Sequence, residues 1–104
     1  MNRKVYISGK ISGFPDFKKT FDDAEEFLLE RGFQTVMNPA KLPPEMNPAD
    51  YMRICFSMVD SCDIVVMLDN WKDSKGAKLV CDYAIYIGKE VKELSEFTRR
   101  NKNE

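Results

Sequence analysis

Two stretches of the chain combine residue types and spacing that can hold an anion. Gly9-Lys10-Ile11-Ser12-Gly13 follows the short run Val5-Tyr6-Ile7-Ser8, and Asp73-Ser74-Lys75-Gly76-Ala77 follows Cys62-Asp63-Ile64-Val65-Val66-Met67-Leu68 at a short distance. Each turn offers backbone N–H groups and glycines free to take positive φ, and each leads into a predicted helix, whose N-terminus favours negative charge. A tight strand-to-helix connection with no ligand accounts for the first turn equally well, and a simple Ser N-cap for the second.

Near these turns stand side chains suited to a nucleoside. Tyr6, close to the carboxyl end of the first strand, and Trp71, just past the later one, could stack on a base or sugar face. Asp69 ends the later strand, where a carboxylate can accept hydrogen bonds from sugar hydroxyls. Core packing for Tyr6 and surface solvation for Asp69 are the competing readings. The sequence holds no histidine, so acid–base work would fall to carboxylates, tyrosines, lysines or thiols. Cys55, Cys62 and Cys81 lack Cys-x-x-Cys spacing and have no histidine to complete a zinc site, which predicts buried, reduced thiols and no metal.

The elements that must position these groups follow from periodicity. Lys4 to Ser8 is the first strand. Phe17, Phe21, Ala24 and Leu28, with Phe27 beside them, mark an amphipathic helix closed by Gly32. Phe33 to Met37 is a second strand ended by Asn38-Pro39. Ala40 to Met46 shows no period and reads as a surface loop able to overhang a site as a lid. Asn47-Pro48-Ala49-Asp50 starts a helix whose buried stripe is Met52, Cys55, Phe56 and Val59. Asp63 to Leu68 suits a central parallel strand. Ser74 caps a third helix with Ala77, Val80, Ala84 and Ile87 inward and Gly88 as terminator. Glu90 to Leu94 reads as a weak edge strand, and the tail from Ser95 as polar, with Phe97 able to pack back. Strands alternating with helices predict one α/β domain, a three-layer Rossmann-like or flavodoxin-like sandwich with a parallel sheet of four to five strands and helices on both faces. In such a sheet both turns lie at one carboxyl edge, where open α/β folds bind ligands.

Composition sets the outer bounds. With 104 residues the chain has room for one core, and a formal charge of −1 gives no general attraction to polymeric nucleic acid or an anionic membrane. No apolar run approaches the ~20 residues of a membrane span, and the start Met1-Asn2-Arg3-Lys4 leads directly into a strand, so a cytoplasmic location is expected.

Tyr6, Gly9, Ile11 and Gly13, then Asn38-Pro39, Tyr51-Met52-Arg53, and Cys62-Asp63 through Trp71, Ser74, Gly76 and Ala77 together carry a resemblance. The chain resembles the nucleoside 2-deoxyribosyltransferase-like superfamily, in particular its small phage and bacterial branch of unassigned function. That resemblance implies a Rossmann-like fold and cleavage or exchange of the N-glycosidic bond of a deoxynucleoside or its 5′-monophosphate. It assigns substrate binding to Tyr6, Gly9, Ile11 and Gly13 and phosphate binding to Ser74 and Gly76, without a cofactor, in a homo-oligomer that takes a small-molecule nucleoside or nucleotide. A Glu of the third helix is the nucleophile in such enzymes, and its position here is Val80; a second family carboxylate falls at Cys55. The expectation is a nucleoside- or nucleotide-binding protein in which the glycosidic chemistry is lost or impaired. The alternative is an active N-glycosidase or N-deoxyribosyltransferase using Asp69, Asp73 or Asp82. Asp82 is two residues beyond position 80, about 200° around a helix.

Overall fold

Alternation along the first strand decides how the layers assemble. In β1 (Lys4–Ser8), Tyr6 and Ser8 face one side of the sheet and Val5 and Ile7 the other, and all four are buried. A strand covered on both faces needs a layer on each side. The structure, a computed structural model, describes residues 3–99; the Met1-Asn2 start and tail residues 100–104 lie outside the described residues.

Beside β1 runs β3 (Ile64–Met67), parallel and in register, with Val5 opposite Ile64 and Tyr6 opposite Val65. β2 (Thr35–Met37) adds to the outer side of β1 and β4 (Glu90–Glu93) to the outer side of β3, giving a four-stranded, all-parallel sheet of order β2-β1-β3-β4. On one face Tyr6, Val65 and Met67 pack with Cys55 and Val59 of α2 (Pro48–Asp60) and with Ala77, Val80 and Ala84 of α3 (Lys75–Tyr86). On the other face Val5, Ile7, Ile64 and Val66 pack with Phe21, Ala24 and Leu28 of α1 (Phe17–Glu30). Leu94 and Phe97 of the short α4 (Leu94–Arg99) close the margin of that second layer. This is the Rossmann-like, flavodoxin-like sandwich predicted, with four strands. The chain leaves β1 toward one edge to make β2 and then crosses to the other side for β3, so the reversal of strand order falls between β1 and β3.

Several boundaries differ from the periodicity reading. The second strand starts at Thr35, because Phe33 instead stands edge-on to Phe97, ring centroids 5.9 Å apart at 86°. Phe97 thus packs back, and the start of the supposed polar tail forms α4, where the Glu96 carboxylate accepts from the Glu93 N–H at 2.9 Å. Pro39–Lys41, read as the end of a strand and the start of an irregular loop, forms one 3-10 turn, capped by the Asn38 Oδ1, which accepts from the Ala40 N–H at 2.9 Å. In α3 the buried stripe is Ala77, Val80, Cys81 and Ala84, while Ile87 is 37% exposed. Tyr86 is the last regular residue of α3; Ile87 caps it, and Gly88, at φ +87°, turns the chain away directly after. All three cysteines are buried and free. No described helix is long and apolar enough to cross a membrane.

Candidate functional site

The site begins where β1 runs out. Gly9 lies so close to the end of β3 that a Cβ there would stand 2.7 Å from Leu68 Cδ1, which is why this turn position holds glycine. Two hydrogen bonds tie the turn after β1 to the loop after β3: the Leu68 N–H donates to the Ser8 carbonyl at 2.8 Å, and the Lys10 N–H donates to Asn70 Oδ1 at 3.0 Å. The two segments singled out by their spacing therefore meet at one edge of the sheet. Beyond Asn70 the chain makes a 3-10 turn, Trp71–Asp73, and Ser74 caps α3, its Oγ accepting from the Ala77 N–H at 3.1 Å. Capping satisfies one of the four N-terminal donors of α3 and leaves those of Lys75 and Gly76 directed outward.

Between this corner and α2 opens a cleft of about 540 Å³. Tyr6, Ser8, Gly9, Ile11 and Ser12 line it from β1 and its turn, and Pro39, Pro44 and Met46 from the segment after β2. Pro48, Tyr51, Met52 and Cys55 supply the α2 wall; Asp73 through Ala77, with Leu79 and Val80, supply the α3 wall. Tyr6, Gly9, Ile11, Ser74, Gly76 and Val80 are thus brought together as the sequence suggested. Pro44 and Met46 put part of the expected overhanging loop against the cleft.

Other candidates lie elsewhere. Gly13, at φ +74°, borders a separate shallow depression with Ile11, Phe14, Pro15 and Phe17. Asp69 is exposed and outside the cleft lining. Trp71 is also outside it; its ring packs against the cluster formed by α2 and α3, with the Lys72 ammonium 5.8 Å from the ring centroid. Asp82 is exposed on α3 and does not border the cleft, leaving Asp73 as the acidic member of the lining.

The floor carries polar groups but no charge. Burial pushes the Tyr6 phenol well above its ordinary range, and the neighbouring Cys55 thiol pushes in the same direction. Burial also raises Tyr51, again with Cys55 beside it. Cys55 itself is raised by burial, partly offset by its interactions with the Tyr6 and Tyr51 phenols. All three remain protonated near neutrality, so the floor offers neutral hydrogen-bond donors. The Tyr51 hydroxyl donates to the Pro39 carbonyl at 3.3 Å, fastening α2 to the segment after β2. Tyr51 and Cys55 are four residues apart, on one helix face, and both border the cleft.

That segment is anchored from behind by Asn38, which is 5% exposed. Its Nδ2 donates to Asp22 Oδ1 at 2.9 Å and to Glu25 Oε1 at 3.0 Å, while Lys41 pairs with Glu25 at 3.1 Å. Burial pushes the Glu25 carboxyl up, but the hydrogen bonds from Asn38 and Lys41 outweigh it and hold the group below its usual range.

The chain belongs to the family described as Domain of unknown function (DUF4406), whose model matches residues 3–93. No curated protein matches it.

Proposed function

We propose that this DUF4406 protein binds a nucleoside 5′-monophosphate, or the corresponding free (deoxy)nucleoside, as a nucleoside 2-deoxyribosyltransferase-like protein whose N-glycosidic chemistry is lost or impaired. The observation that carries the proposal is the cleft at the β1/β3 reversal, with α3 starting at its rim and Val80 in its wall. A volume of about 540 Å³ suits a ligand of nucleotide size. The rim, with the α3 N-terminus, Ser74, Gly76 and the Lys75 ammonium, favours a phosphate. The interior, with neutral phenols, a thiol and alkyl groups, favours the uncharged sugar and base. An isopropyl group at position 80 has no lone pair to attack an anomeric carbon, so the carboxylate displacement of glycoside-cleaving enzymes has no nucleophile there.

Titration calorimetry with deoxynucleosides and their 5′-monophosphates tests binding, and chromatography of the free base tests chemistry. Wild type should bind the monophosphates more tightly than the nucleosides and release no base, and Val80→Glu should release base. Binding of neither ligand class would overturn the binding proposal, and equal affinity for the two would overturn the phosphate site at the rim; base release by wild type would overturn the loss of chemistry. A second reading, hydrolysis assisted by Asp73, is favoured by the position of that carboxylate in the lining. It requires that wild type release base and that Asp73→Asn abolish it.

The reading extends to a cytoplasmic protein, supported by three free thiols, and to association with a second copy. Leu79, Ile85 and Tyr86 of α3 are exposed large apolar groups, and Leu79 also borders the cleft, which supports a self-association face beside the site. Light scattering should then give twice the mass of one chain, and the mass of a single chain would remove this part of the reading.

A further inference from the structure

We propose that the Ser8 hydroxyl is the specificity-determining group of the cleft and that it pairs with a hydroxyl of the ligand's sugar ring, an inference that rests on the nucleotide reading above. Ser8 is the last residue of β1, 2% exposed, and lines the cleft on the same face as Tyr6. Its main chain is committed to the sheet: the carbonyl accepts from the Leu68 N–H at 2.8 Å, and the residue is in register with Met67.

The side chain has no such commitment. Among the described residues no group pairs with the Ser8 hydroxyl, and no buried polar side-chain atom is sealed away without a partner, so this oxygen opens onto the cleft. Buried hydroxyls as a rule have a hydrogen-bond partner, protein or ordered water, so one without a protein partner is open to exchange. Neighbours on that face are Tyr6, Val65 and Met67, where an alkyl side chain would continue the packing without desolvating a polar atom. The fold therefore gives the hydroxyl no partner of its own among the described residues, and in the open cleft it is free to exchange water for a ligand group.

The surroundings define which kind of ligand group fits. Cys55, Tyr6 and Val80 bring no charge to the floor, so an anion there would be stripped of water with no counter-charge. A neutral hydroxyl, both donor and acceptor, matches serine and its phenolic neighbour. With phosphate held at the α3 start, the sugar is the portion of the ligand that reaches Ser8.

Ser8→Ala in the full chain tests this by two independent readouts. Calorimetry uses each of the common 2′-deoxynucleoside 5′-monophosphates and its 2′,3′-dideoxy counterpart, and thermal unfolding is followed without ligand. Wild type should prefer the hydroxyl-bearing probe by roughly five- to tenfold, the range of one neutral hydrogen bond. The variant should lose that preference, bind both probes as wild type binds the dideoxy one, and unfold at an unchanged or higher temperature. A preference that survives in the variant, or is absent from wild type that binds both probes, overturns the role of Ser8 and leaves the nucleotide reading standing. A lowered unfolding temperature also overturns it, since the hydroxyl would then have a structural partner. Binding of none of these probes by wild type removes the nucleotide reading, and the role of Ser8 with it.

Discussion

Replacing Asn38 by alanine removes three hydrogen bonds behind the cleft wall, and their unequal worth can be worked out. The Ala40 N–H, bonded to Asn38 Oδ1 at 2.9 Å, belongs to a buried residue, so its loss leaves a backbone donor unpaired at a cost of about 1–3 kcal/mol. The carboxylates of Asp22 and Glu25 reach solvent and can turn to water, so together they add only about 1 kcal/mol. The sum, about 2–4 kcal/mol, is a large share of the ~5–15 kcal/mol that holds a domain of this size, and it should lower the unfolding temperature by about 10–20 °C. Asn38→Asp is the sharper variant. It keeps an acceptor for Ala40 but turns a second oxygen toward two carboxylates now 2.9 and 3.0 Å from Nδ2. Crowding raises the folded-state pKa of this acidic group, so its penalty is complete near pH 7 and shrinks as pH falls and a proton is taken up. Wild type moves the opposite way. The Glu25 carboxyl is held below its ordinary 4.5, so its contribution is present above that pH and lost as pH falls through the lowered value. Urea unfolding at pH 7, 6, 5 and 4 should show the two proteins converging. A gap independent of pH, or an Asn38→Asp protein as stable as wild type at pH 7, would refute the reasoning.

Two further outcomes follow from contacts and titration. Gly9→Ala places a Cβ 2.7 Å from Leu68 Cδ1 and should cost about 1–3 kcal/mol in urea unfolding, whereas at Gly76, where the nearest atom is Met52 Sδ at 3.5 Å, alanine should leave stability equal or better; similar losses at both positions would contradict the close approach. Burial raises the Cys62 thiol to about 11 from an ordinary 9.0, so the folded chain holds its proton longer than the unfolded one, and stability should fall as pH climbs from 9 through 11. Urea midpoints measured across that window check it, and Cys62→Ala should flatten the slope; a slope unchanged by that substitution would show that other groups cause it.

What was legible in the sequence was local. Apolar alternation in Val5 to Ser8 and the continuous apolar run into Leu68 identified two central strands, and parallel pairing then required their turns to share an edge. The three-four spacing of α3 put Val80 on the stripe that faces the sheet, and it lies there, at the border of the cleft. Less legible were groups whose orientation is set by distant partners. A short 3-10 turn carries Trp71 against the α2–α3 cluster and leaves Asp69 outside, and one-dimensional spacing does not encode that turn. Phe33 and Phe97 are separated by most of the chain, so neither the late start of β2 nor the existence of α4 could be read from either segment alone. Tyr51 and Cys55 belong to a helix whose stripe was recognised, but a stripe does not say which of its residues will meet empty space.

The pair of hydrogen bonds joining the turn after β1 to the loop after β3 has a consequence for recognition. A corner braced across two adjacent strands loses little freedom when a guest arrives, so the entropic toll of complex formation there is met during folding. Opposite that corner, Pro44 and Met46 approach the opening. A corner set before its guest arrives selects for shape.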